Sequence, residues 1–128
     1  MRLLLDTHIA LWVLTENTKL SALARSMIVS GGDQVFVSAA SIWEISIKHR
    51  LSPEQMPISG QQAKIRFIAA GFQLLGVSAE HAAQVDLLPM HHRDPFDRIL
   101  IAQAQCEPLR LLTRDAKLAA YSELVTLV

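Results

Sequence analysis

RLLLDTHIALW, residues 2–12, decides how this chain is to be read. Leucines at 3, 4 and 5 are consecutive, so a strand made from them turns apolar side chains to both faces and needs cover on both. Asp6 closes the run, and a helical pattern follows over 8–15. A short apolar strand that ends on an acid and passes straight into a helix is the opening unit of an α/β sheet.

The same unit recurs outward from that stretch. QVFVS (34–38), QLLGV (73–77), LRLLT (109–113) and LVTL (124–127) read as strands beside RLLLD (2–6). Helical patterns fall near 20–29, 40–50, 60–70, 79–87, 95–106 and 115–120. All five strands are too apolar for a sheet with one wet face, which predicts a parallel sheet covered by helices on both sides. Gly31-Gly32-Asp33 precedes the second strand and Gly71 the third, while Pro89 and Pro95 bracket the loop MHHRD. Asp94-Pro95 combines a cap with a first-turn proline whose missing donor costs nothing there. LSPEQMPISG (51–60) reads as a loop whose SPEQ starts a short helical turn. With no repeat, low-complexity tract or linker, residues 1–128 are expected to form a single domain.

Composition narrows the class. Hydrophobic residues make up 51% of the chain and mean hydropathy is +0.27, more apolar than one core of this size requires, so part of the excess is expected to cover an interface. A homodimer or a tightly held partner follows. The 12 basic and 12 acidic residues balance, so any attraction to nucleic acid must be local. Cys106 is the one cysteine, which excludes an intrachain disulfide and a cysteine-rich zinc site and reads as a small core residue in a reducing compartment. No stretch reaches 18 apolar residues, and the start of the chain lacks the long apolar segment of a secretion signal, so no membrane span is expected and the cytoplasm is the default location.

Four acids stand where such a sheet would gather them. Asp6 and Asp115 end strand runs, Glu44 lies about one turn into the helix after the second strand, and Asp97 lies in the first turn of another helix. Ligands of open α/β sheets meet the carboxyl ends of strands, so these side chains can converge. Like charges held together disfavour ionisation unless a cation sits among them. An all-oxygen donor set suits Mg²⁺ or Mn²⁺, and such an ion can bind a phosphate oxygen and activate water for phosphodiester hydrolysis. Taken singly, each acid has a plainer use: Asp6 and Asp115 as caps, Glu44 as an i,i+4 partner of Lys48, and Asp97 on a helix dipole.

LLLDTHIALW with Asp6, VSAASIWEISIK with Glu44, HHRDPFDRILIAQA with Asp97 and LLTRD with Asp115 together resemble the PIN-domain ribonucleases, particularly the VapC-type toxins of toxin–antitoxin pairs. The motifs span nearly the whole chain. The resemblance implies a PIN-like three-layer fold with a five-stranded parallel sheet of order 3-2-1-4-5, a homodimer, and Mg²⁺- or Mn²⁺-dependent endoribonuclease activity inhibited by a small antitoxin. It matches Asp6, Glu44, Asp97 and Asp115 to the acidic site, with Asp6 and Asp97 as principal metal ligands and Glu44 and Asp115 bound directly or through water. Thr113 matches a small hydroxyl position that could orient a water or Asp115.

Other residues carry weaker expectations. Asp94 competes with Asp97 for the metal, although capping suits its place before Pro95 better. His91 and His92 could ligate or take a proton, but adjacent histidines in a polar loop are more simply exposed or phosphate-facing, and His8 suits a structural or supporting role. Arg93, Arg98 and Arg114 lie near the acids and could hold RNA phosphates flanking the scissile one; neutralising the neighbouring carboxylates would explain them too. Lys48, His49 and Arg50 could extend that basic track or simply end a helix favourably. Trp12 and Trp43, among apolar neighbours, point to core or dimer packing, and Leu11, Trp12, Leu14 and residues 40–47 are the interface candidates. A DNA or structure-specific nuclease and a catalytically silent binding module remain the alternatives. An Asp-nucleophile phosphatase is disfavoured because LLLDTH lacks a second Asp two residues after Asp6. A phospho-receiver is disfavoured because no lysine follows a late strand in the required relation.

Overall fold

The apolar runs do become strands, and in the computed structural model, which describes residues 2–128, each is slightly shorter than its run. In chain order the elements are β1 (Leu3–Leu5), α1 (Thr7–Thr15), α2 (Ala22–Gly31), β2 (Val35–Ser38), α3 (Ala39–Leu51), α4 (Gly60–Ala69), β3 (Gln73–Leu75), α5 (Ala79–Gln84), α6 (Pro95–Cys106), β4 (Arg110–Thr113) and β5 (Val125–Leu127). Two 3-10 turns, Val85–Leu87 and Ala116–Ala120, complete the list of helical pieces. All strand pairs are parallel and the order is β3-β2-β1-β4-β5, as the resemblance implied.

Alternation along β1 splits the core. Leu3 and Leu5, with Val35, Val37 and Leu112, pack beneath Ile9, Ile45 and Phe67 on one face. Leu4, Phe36 and Leu111 pack against Leu100, Ile101, Leu109 and Leu118 on the other. Helical layers therefore cover both faces of the three central strands, where β-branched and leucine side chains exclude water from the ladder. The edge strands depart from expectation: β3 and β5 remain half-buried or exposed, because only one neighbour and fewer helices cover them. α3 and α4 approach so closely that a Cβ on Gly60 would stand 1.7 Å from Ser46 Oγ, which explains a glycine at the first position of a helix.

Several boundaries shift for identifiable reasons. The helix expected over 79–87 stops at Gln84 and tightens into the 3-10 turn Val85–Leu87, and the last helix is wholly 3-10. SPEQ does form a turn, with Gln55 N–H and Met56 N–H donating to the Ser52 carbonyl at 3.1 and 3.0 Å. Cys106 is half-buried at the end of α6 instead of in the core. Trp43 also departs from an inward orientation: it is 63% exposed and meets Phe96 edge-on at 5.3 Å. Among the described residues no helix is long and apolar enough to cross a membrane.

Candidate metal centre

Strand order reverses on either side of β1, so the carboxyl end of β1 is the switch point where such a sheet opens a crevice. Asp6 stands there. Its N–H donates to the Leu112 carbonyl of β4 at 3.0 Å, and its Oδ1 accepts from Ile9 N–H at 2.9 Å, capping α1. Its Oδ2 accepts from the Thr113 hydroxyl at 2.5 Å. Thr113, fully buried at the end of β4, also accepts from the Asp115 N–H at 3.0 Å, so one hydroxyl ties two acids from different units.

α3 begins at the end of β2 and delivers Glu44 to the same edge. The Glu44 side chain is buried, one oxygen accepting from Thr7 at 2.8 Å and the other from Lys48 at 2.5 Å. The i,i+4 pair foreseen from the sequence therefore exists. Thr7 also bonds Ser41 at 2.9 Å, which locks the start of α1 to α3.

Asp97 comes from the first turn of α6. Asp94 caps that helix, its Oδ1 accepting from Phe96 and Asp97 N–H at 2.8 and 3.3 Å with Pro95 at the first position. His92 completes the set: its Nε2 lies 2.9 Å from Asp97 Oδ2 and 3.7 Å from Asp115 Oδ2. Of the two histidines placed in the polar loop, this one turns inward, while His91 is exposed and packs its ring against Tyr121. His92, Asp94 and Asp97 each offer a ligand atom within 4.8 Å of the others.

The electrostatics register the crowding. Burial, more than any other influence, holds the Asp6 carboxyl above the usual range, and Glu44 adds to it, against the lowering effect of its Ile9 and Thr113 bonds and of His8. Asp97 is raised to about 6, mainly by burial, then by Asp94 and with a further contribution from Asp6, while His92 opposes the shift. Mutual repulsion among acids from three units of the fold is the physical sign of their convergence. A hard divalent cation suits carboxylate oxygens, whose combined charge Lys48 offsets only in part. Among the described residues the ligand atoms grouped within 4.8 Å are those of His92, Asp94 and Asp97, and Asp6, Glu44 and Asp115 are not part of that group.

The arginines divide. Arg98, expected at RNA phosphates, is buried, and its guanidinium donates to the carbonyls of Pro89 (2.9 Å), Val85 (3.2 Å), Leu88 (3.3 Å) and His92 (3.4 Å) and to the Tyr121 hydroxyl (3.1 Å). It holds the loop before α6 and cannot reach a phosphate without abandoning five acceptors. Arg114 turns from Asp115 to the Lys19 carbonyl at 2.7 Å and lies over the Trp12 ring. Arg93 is exposed. His8 is exposed and tilts against Trp12, and His49 is engaged with the Met56 carbonyl at 2.7 Å.

This arrangement, acids from β1, α3, α6 and the end of β4 gathered at one switch point, coincides with a family assignment: the chain belongs to the PIN domain family, whose model matches residues 3–124. A relative, ribonuclease VapC22 of Mycobacterium tuberculosis, is 29% identical over 119 residues, covering 92% of this chain and 90% of its own. Two solved structures share the fold. VapBC2 of Rickettsia felis bound to a promoter DNA fragment superposes with a TM-score of 0.70 at 14% identity, over 100% of this chain and 98% of that one. A toxin–antitoxin complex from Klebsiella pneumoniae gives 0.66 at 21% identity, over 96% and 94%.

Proposed function

We propose that this chain is a metal-dependent endoribonuclease, the toxin of a toxin–antitoxin pair. The observation that carries the reading is the linkage of Asp6, Asp115 and Asp97 through Thr113 and His92 at one sheet edge, with Glu44 held by Thr7, the residue after Asp6. Asp6, Asp97, Glu44 and Asp115 would hold Mg²⁺ or Mn²⁺, which when bound supplies positive charge beside a phosphate oxygen and acidity to water. The chain's own groups position the acids. Thr113 fixes Asp6 and the backbone of Asp115, while Thr7 and Lys48 each claim one oxygen of Glu44. Exposed Arg93, four residues before Asp97, is the arginine available to a flanking phosphate without breaking a core contact.

The toxin reading draws on the ribonuclease relative and on the fold neighbours, one described as a toxin–antitoxin complex and the other as VapBC2 bound to promoter DNA. A small antitoxin would offset the acidic cluster with a basic side chain and cover apolar surface, such as the ≈ 420 Å³ groove between α1 and α4 lined by Leu11, Trp12, Leu14, Met56 and Ile58. The toxin would act in the cytoplasm, as a homodimer and as a single domain.

The test is incubation of partner-free protein with total bacterial RNA in Mg²⁺, Mn²⁺ or EDTA, with Asp6→Asn prepared in parallel. Discrete fragments that need the metal and vanish in the variant support the proposal. Equal cutting by the variant overturns it, and cutting of DNA in place of RNA moves the assignment to a DNA nuclease.

A further inference from the structure

We propose that His92 is itself a metal ligand, contributing an imidazole nitrogen beside the carboxylates, so that the centre is a mixed nitrogen–oxygen site favouring Mn²⁺ over Mg²⁺. The inference deepens the nuclease reading and rests on it for the presence of a cation.

Three features carry it. The first is aim: the His92 side chain is only 19% exposed, and its Nε2 stands between Asp97 and Asp115 where a loop histidine serving solvent would point away. The second is spacing. Neighbouring ligands of an octahedral ion, each about 2.1 Å from it, stand about 3 Å apart, and opposite ones about 4.2 Å. Without an ion Nε2 is hydrogen-bonded to Asp97 Oδ2 at 2.9 Å, the spacing of neighbouring ligands, and stands 3.7 Å from Asp115 Oδ2, between the neighbouring and opposite spacings; the ligand atoms of His92, Asp94 and Asp97 share a 4.8 Å cluster. Asp94 contributes from the same side, although one of its oxygens is spent on the α6 cap.

The third feature is the apparatus that holds the residue. His92 N–H donates to the Tyr121 hydroxyl at 2.6 Å, and that hydroxyl donates back to the His92 carbonyl at 3.2 Å. Arg98, buried, donates to both the same carbonyl and the same hydroxyl, and its remaining bonds tie down Val85, Leu88 and Pro89. A buried guanidinium committed to backbone carbonyls is a costly device for a surface loop. It is well suited to fixing one side chain against a cation, since ligand geometry tolerates little drift.

Donor chemistry gives the consequence. Mg²⁺ strongly prefers oxygen and keeps its waters, whereas imidazole nitrogen suits transition ions, among them Mn²⁺ more than Mg²⁺.

The test uses Mn²⁺ as both probe and ligand. Electron spin-echo modulation of the Mn²⁺-loaded full chain reads directly bonded ¹⁴N, and calorimetry reads the two affinities. The expected result is an imidazole ¹⁴N coupling in the native chain that disappears in His92→Gln, with Mn²⁺ binding weakened on the order of tenfold and Mg²⁺ binding changed much less. His92→Gln leaves the backbone bonds to Tyr121 and Arg98 in place, and an unchanged melting temperature without metal certifies its fold. Tight Mn²⁺ binding with no ¹⁴N coupling overturns the histidine assignment and leaves the carboxylate centre standing. No binding of either ion, in a folded native chain, overturns the metal-dependent reading along with it.

Discussion

At the scale of single residues, Thr113 matters out of proportion to its size. Its hydroxyl donates to Asp6 and accepts from the Asp115 N–H, both within buried or half-buried surroundings. Thr113→Val keeps the shape and removes both bonds, stranding a buried carboxylate oxygen. The expected loss is about 1–3 kcal/mol of stability, read by denaturant unfolding, with RNA cleavage falling further than stability because both acids lose their aim. Asp97 supplies a second prediction. Its folded-state value is raised to about 6, so the folded chain holds this proton more tightly than the unfolded chain. The resulting stability is present in full below the ordinary value of 3.8 and is lost as pH rises through about 6. In EDTA, the melting temperature of the native chain relative to Asp97→Asn should therefore fall between pH 4 and pH 7; a rising difference would contradict the shift. Asp6 and Asp115 stand out in the sequence because they close apolar runs, Glu44 because it falls about one turn into a helix and Asp97 because it opens one. His92 was weighed and set aside, because nothing in HHRD says which ring turns inward. That choice is made by Tyr121, 29 residues away, and by Arg98.

At the scale of elements, the loop from Leu88 to Asp94 is the piece whose structure the sequence concealed. Its prolines marked the ends, yet its conformation depends on Arg98, which a linear reading assigned to RNA because it stands beside Asp97. Position along the chain cannot distinguish these roles: on a helix, residues one apart point about 100° away from each other, so Asp97 faces the crevice while Arg98 faces the core. Arg98→Met leaves carbonyls and the Tyr121 hydroxyl short of a donor. It should lower stability by roughly 3 kcal/mol, a fall of about 10 °C in melting temperature, and should impair cleavage even where the protein is folded. A variant with native stability but weakened RNA binding would restore the phosphate role. The 3-10 endings after α5 and β4 also escaped notice, since apolar spacing over five or six residues does not separate 3.0 from 3.6 residues per turn.

At the scale of the whole molecule, the strand order followed from family motifs, while parallel pairing followed from physics alone: runs such as RLLLD have no polar face to offer water. Part of the apolar surplus lies at the surface, Trp43 and Val77 among it. Trp43 and Phe96, with Ala40, Val77, Val85 and Ile99, line an open apolar hollow of ≈ 400 Å³ across α3 and α6. If this face joins two copies, Trp43→Lys should convert dimer to monomer in light scattering at micromolar concentration without lowering the melting temperature of the monomer; an unchanged dimer would place the interface elsewhere. The central claim is that gathered carboxylates hydrolyse RNA with a divalent cation, and end-group analysis of the fragments tests it most directly. Water attacking phosphorus and expelling the 3′ oxygen leaves a 5′-phosphate and a 3′-hydroxyl, and EDTA should abolish the cut. Fragments carrying 2′,3′-cyclic phosphate and 5′-hydroxyl, formed equally well in EDTA, would mean that the ribose hydroxyl is the nucleophile and that the acids do not do the chemistry assigned to them.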